Sequence, residues 1–205
     1  MSSPIPFDSA AIAGRQNVLT AEWHRVEPNA SGDGFDGLVA QNHLRNFQLW
    51  HEEDIARRDD LGAERIVQAK RAIDRYNQQR NNFIEEMDKV LVAALQPADS
   101  GLPRNSETPG MIIDRLSILA LKEFHMREET ERADASPAHR DICAEKLARI
   151  VRQRSDLTGC LAALLDDVAA RRRTFSVYYQ FKMYNDPALN PQLRDARISS
   201  GNAAS

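Results

Sequence analysis

Residues 143–168 read CAEKLARIVRQRSDLTGCLAALLDDV. Positions 143, 147, 150, 154, 157, 161, 164 and 168 alternate four and three residues apart and carry Cys, Leu, Ile, Arg, Leu, Leu, Leu and Val. An apolar stripe with that repeat is the seam of a helix packed against other helices. Arg154 is the single charged interruption. Just upstream, Ser136-Pro137 supplies an N-cap and a first helical position. A second seam runs through Ile66, Lys70, Ile73, Asn77, Arg80, Ile84, Met87 and Leu91. Its ends are apolar and its middle is polar. Tyr76 and Phe83 widen that face, so this helix is expected to touch two partners.

Proline placement extends the helical reading. The 9 prolines leave 29–96, 110–136 and 138–186 almost free of helix breakers. Thr108-Pro109 repeats the cap signature ahead of 111–126, which is apolar on nearly every side and therefore central. A loop at 29–37 (NASGDGFDG) precedes another helix, with Asp36 a candidate cap. Gly62 divides the first interval into two helices. Residues 10–26 supply a first helix with Ile12, Val18, Leu19 and Trp23. No strand alternation of useful length occurs. The expected fold is all-α: an antiparallel bundle of four to five helices with a C-terminal arm. Residues 10–193 form the bundle domain, between a tail at 1–9 and a flexible tail at 194–205.

Composition narrows the class. The chain has 205 residues, 42% hydrophobic and 28% charged, with a net charge of -3. The pI near 6.0 argues against nucleic acid. The mean hydropathy of -0.53, with no apolar run near 18 residues, argues against a membrane span. The first residues lack a charged and apolar leader, so a cytoplasmic protein is expected. Cys143 and Cys160 sit too far apart along one helix to bridge, and both read as small buried hydrophobes.

Polar residues interrupt faces that should be buried. On the helix near 38–58, Asn46, Trp50, His51, Glu53, Asp54 and Arg57 crowd one side. On the central helix, Asp114 and His125 share a stripe, and Arg115 and Lys122 share the next. Burial of such groups is costly unless they are paired. Two readings stay open. The groups neutralise one another and set helix register, Asp114 taking Arg80 or Arg154. Alternatively they line a pocket between helices, where bundles build sites. His24 and His139 read as surface residues. His51-x-x-Asp54 and His125-x-x-Glu128 have ligand spacing. The doubled Glu-x-x-His motif of dimetal bundles is missing, so no metal and no cofactor is assigned. There is no Gly-rich phosphate loop and no nucleophile elbow.

The segments HLRNFQLWHEEDIAR (43–57), KRAIDRYNQQRNNFIEEMD (70–88), NSETPGMIIDRLSILALKEFHM (105–126) and QFKMYNDPALNP (180–191) resemble a bacterial family known only as domain of unknown function 4254. The likeness spans roughly residues 10–193. It implies a helical, cytosolic protein whose gene lies near those for lipopolysaccharide and other envelope glycans, glycosyltransferases included. It supplies no established catalytic residue. The family pattern often has Asn-Asp where this chain has Asn81-Asn82, which removes one carboxylate.

Three functional expectations follow. The first is binding of a sugar-nucleotide, a glycan or a glycosyltransferase in envelope polysaccharide assembly. Lys70, Arg80, Arg115, Lys122 and Arg154 would hold phosphate or carboxylate. Trp50 and Tyr184 would stack on a ring, with Asn46, Arg57, Asn77, Lys182 and Asn185 completing the ligand set. The arm would close over the site. The second is an enzyme, with His51 or His125 as general acid–base, oriented by Glu53, Asp54 or Asp114, a metal assisting at His51 and Asp54. The third is a structural module, with the seam at 147–164 serving a homodimer.

Overall fold

Local chemistry sets the helix ends. In the computed structural model, which describes residues 7–181, 186, 188–192 and 194, Asp8 accepts from the backbone N–H groups of Ala10 and Ala11 and starts α1, Ser9–Trp23. α2 is Gly34–Ile55 and α3 is Gly62–Leu95, separated by one tight 3₁₀ turn at Asp59–Leu61. Gly62 opens α3 with a φ of 76°, which is why a glycine stands at that break. Thr108 and Ser136 cap α4, Pro109–Glu131, and α5, Pro137–Ala169. Each hydroxyl accepts from the N–H three residues on, at 3.2 Å, with proline at the first helical position. Asp36 is not the α2 cap. It lies in the first turn, where it suits the helix dipole and pairs with Arg15 at 3.4 Å.

The result is an all-α bundle of five α-helices, with no strand among the described residues. α2 packs chiefly on α3 and α4 chiefly on α5, while α4 also meets α1, α2 and α3. α4 is therefore the central helix, as its all-round apolar sequence requires. The larger core joins Met87, Leu91, Ile113, Leu116, Leu161 and Val168. A smaller one holds Trp23, Leu44, Phe47 and Leu121. Every position of the 143–168 seam is buried or half-buried within the chain. Leu161 and Leu164 lie in the larger core, with Leu157 packed against it. Cys143 is buried, but Cys160 is exposed, because it lies one position off the seam.

The arm leaves α5 through Arg171, whose left-handed φ is 56° and whose guanidinium donates to the carbonyl of Gln96. Thr174 then pairs with the loop before α4: its N–H reaches Pro103 at 3.0 Å and its carbonyl takes the Asn105 N–H at 2.8 Å. Phe175 closes the core. The Gln180 N–H donates to Glu85 at 3.1 Å. Lys182, Tyr184 and Asn185 lie outside the described residues. The charged run Arg171-Arg172-Arg173 follows α5, and Arg172 and Arg173 pair with Asp167.

α3 and α4 meet at one close contact. The Gly110 N–H donates 2.7 Å to Asp88, which is buried. A Cβ on Gly110 would stand 2.7 Å from Asp88 Oδ1 and 2.8 Å from the Ile84 carbonyl. Gly110→Ala is therefore expected to cost about 1–3 kcal/mol through overpacking. Burial pushes the Asp88 carboxyl up to about 6, with Glu85 adding to it and the Thr108 hydroxyl and Gly110 N–H opposing. The folded state thus holds the proton more tightly than the unfolded chain. The resulting stability is full below about pH 4 and is lost as pH rises through about 6. Asp88→Asn keeps the Gly110 bond and cannot titrate. Denaturant melts at several pH values are expected to show wild type losing on the order of 3 kcal/mol relative to this variant between pH 4 and 7.

Candidate functional site

A carboxylate in a helix core must be given donors. Asp114, buried on α4, takes two from α2: Asn42 Nδ2 at 3.0 Å and Asn46 Nδ2 at 2.8 Å. Asn46 also donates to Ser117 Oγ at 3.0 Å. Ser117 lies 2.7 Å from His43 Nδ1, and His43 Nε2 lies 2.9 Å from Thr20 Oγ1. Thr20 donates to the Gln16 carbonyl at 2.8 Å, so His43 Nε2 is the donor to Thr20 and Nδ1 the acceptor from Ser117. Gln16 Nε2 closes the series on the Ile113 carbonyl at 3.1 Å. One polar chain thus ties α1, α2 and α4 together. Burial, with Arg154 adding, lowers the His43 imidazole to about 3, so it stays neutral.

Arg154 does not join Asp114. Its guanidinium donates to the Ala13 carbonyl of α1 and pairs with Glu123 at 3.4 Å. Burial lowers its pKa, and Glu123 opposes that. Arg80 does face Asp114, at 3.9 Å, outside hydrogen-bond range. Arg80 makes no hydrogen bond among the described residues, although its Nε is buried.

Above this floor, α2, α3 and α4 enclose an open cleft of about 330 Å³. It gathers Asn46, Trp50, Glu53, Asp54, Arg57, Asn77 and Arg80, over an apolar base of Leu49, Ile118 and Leu121. Arg57 is tied to Glu53 at 2.7 Å. The remaining cations go elsewhere. Lys70 is exposed on α3. Arg115 and Lys122 line a different groove, between α4 and α5, with Gln153, Asp156 and Cys160, and Arg115 pairs with Glu107 at 2.7 Å. The five cations expected to act together are thus scattered over several faces, and only Arg80 reaches the cleft.

The histidines stand behind Trp50. Its indole stacks on His125 at 4.7 Å with a 9° tilt. His51 and His24 complete an edge-to-face group with His125. His24 is not a surface residue: its ring stacks on Phe124 at 4.0 Å, and Nδ1 lies 2.7 Å from the Thr20 carbonyl. His139 pairs with Glu129 at 2.9 Å on the surface. Burial lowers the pKa of His51 and of His125; His24 lowers both further and His125 also lowers His51, while Glu128 and Asp54 oppose. Glu128, not Glu53 or Asp114, orients His125, at 2.9 Å from Nδ1. Asp54 is the acidic residue of the expected set that acts electrostatically on both rings.

A family model described as "Protein of unknown function (DUF4254)" matches residues 36–177. The chain belongs to that family. No curated protein and no solved structure matches it. No helix among the described residues is long and apolar enough to cross a membrane.

The polar chain is only partly legible in the sequence: His43 shares a helical stripe with Asn46 and Trp50, but spacing within one helix does not show that Gln16, Thr20 and Asn42 are buried against it. Two i,i+4 pairs, Gln16/Thr20 and Asn42/Asn46, were its available signal. Removing a donor strands a buried acceptor. Asn46→Ala is expected to cost about 1–3 kcal/mol in urea unfolding. Asn82→Ala, at an exposed position of α3, is expected to stay within about 0.5 kcal/mol.

Proposed function

We propose that the cleft between α2, α3 and α4 binds a sugar, as a glycan or as the sugar end of a nucleotide donor. The observation that carries this is the cleft's combination of one aromatic wall, Trp50, with neutral amides and balanced charge. A pocket of this kind fixes its ligand through a few placed polar groups over an apolar base. Glu53, Asp54 and Asn77 offer acceptors for hydroxyls, Asn77 also offers an amide donor, and the indole offers a flat apolar face. Arg80 supplies a guanidinium that faces Asp114 at 3.9 Å through its buried Nε and makes no hydrogen bond among the described residues. A lone guanidinium suits a single phosphate or carboxylate better than a full diphosphate. The reading therefore favours the sugar end of the ligand over its nucleotide.

The family resemblance supports a setting for this activity: the cytoplasm of a bacterium, in envelope polysaccharide assembly, beside a glycosyltransferase. Binding has more support than catalysis. A general acid–base pair needs hydrogen-bond reach to its substrate and to its orienting group. Neither His51 nor His125 is among the residues that line the cleft, and Glu53 is held by Arg57.

Calorimetry against nucleotide sugars and matched envelope oligosaccharides tests the proposal. At least one is expected to bind, with Trp50→Ala and Arg80→Ala each weakening it tenfold or more. Trp50→Phe is expected to keep most of the affinity. Silence across both panels, or binding indifferent to Trp50 and Arg80, would sink the reading.

A further inference from the structure

The three imidazoles behind Trp50 come from three different helical segments. His24 is the C-cap residue of α1, His51 lies in the last turns of α2, and His125 lies in α4. One ring nitrogen of each falls within 4.8 Å of the other two. Packing alone does not account for their hydrogen bonding. His24 holds its Nδ1 on the Thr20 carbonyl and His125 holds its Nδ1 on Glu128, while Nε2 of each is buried with no partner. A histidine bound to a metal donates its other N–H to a backbone carbonyl or a carboxylate, which fixes the tautomer and aims the ring. Both arrangements occur here, side by side. His51 makes no hydrogen bond among the described residues, so only ring contacts with His24, Phe47 and His125 hold it.

We propose that His24, His51 and His125 form a binding site for a divalent transition metal of the zinc class. Imidazole nitrogen suits zinc and its late first-row neighbours, and selects against magnesium and calcium. Zinc–nitrogen bonds of about 2.0–2.1 Å in a tetrahedral site put ligand atoms about 3.3 Å apart. The rings must therefore draw together by up to roughly 1.5 Å, through small side-chain rotations of all three histidines. Asp54 and Glu128 add negative charge beside the rings. An open surface cavity of about 450 Å³, lined by His24, His51 and Glu27 among others, gives an ion a path to two of the ligands. Three protein ligands leave the fourth position to water or to a ligand of the protein. None of the three histidines lines the sugar cleft, so metal binding can be measured with no sugar present.

A second group of ligand-capable residues, Glu129, His139 and Cys143, is the internal control. It has no buried, unpartnered imidazole nitrogen: His139 is exposed, and its Nε2 is already shared by Glu129 at 2.9 Å and lies 3.4 Å from Cys143 Sγ.

Cobalt(II) titration of the full chain, followed by visible absorption and zinc competition, tests the proposal. One cobalt per chain is expected, with an intense ligand-field spectrum and no sulfur-to-metal charge-transfer band. His51→Ala and His125→Ala are expected to weaken binding at least 100-fold. Glu128→Gln is expected to weaken it about 10- to 100-fold by removing the orienting carboxylate. Cys143→Ser and His139→Ala are expected to leave it unchanged. X-ray absorption of the zinc-loaded wild type, which needs no variant, is expected to show three imidazoles and no sulfur. Absence of stoichiometric binding, a sulfur ligand, or a signal that follows Cys143 rather than His51 would overturn the proposal.

Discussion

The buried carboxylate of Asp114 is the constraint on which the bundle is organised. An ionised carboxylate in a core is tolerated only where donors are already aimed at it. Here both direct donors come from α2, one helical turn apart. Sliding or turning α2 by one residue would take both away together. The bond from Asn46 to Ser117, and onward through His43 and Thr20 to Gln16, extends the same demand to α1. The apolar core favours association of these helices without choosing among neighbouring registers. The polar chain does the choosing, as a buried amide does in a coiled coil.

Function inherits that register. With Asn46 fixed on Asp114, the next turns of α2 send Trp50, Glu53, Asp54 and Arg57 into the cleft. The residue after Trp50 turns away and places His51 among the imidazoles. On the other side, the glycine at 110 lets α3 and α4 approach, and Asp88 holds them there. That contact brings Asn77 and Arg80 over α4. The cleft is thus a consequence of two polar clamps, one on each side of the central helix.

Much of this was legible in the sequence, for a definable reason. The caps at Thr108 and Ser136, the break at Gly62 and the 143–168 seam are local signals, and local geometry follows from them. The stripe Asn46, Trp50, Glu53 and Arg57 has helical spacing, so those residues were bound to share a side. What spacing within one helix does not reveal is which neighbour that side meets. Arg115 follows Asp114 by one residue, about 100° around the helix. It therefore opens toward α5 while Asp114 faces α2. Lys70 belongs to the polar middle of the α3 seam on paper, but it remains in solvent. His24 was read as surface because its neighbours, Phe47, Phe124 and His125, are supplied by other helices.

The family match separates the two sites. Residues 36–177 contain every side chain that lines the cleft, from Asn46 to Leu121. They also contain His51 and His125, but not His24, which α1 brings from outside the matched span. A chain sharing only the matched span would keep the cleft whole and have two of the three imidazoles. Two imidazoles are a weak metal site, whereas the cleft would lose nothing. Trp50 stands where the two meet, stacked on His125 and lining the cleft. A metal that draws His125 toward His51 must therefore either carry the indole with it or break the stack. Metal binding and sugar binding would then be coupled through one aromatic ring.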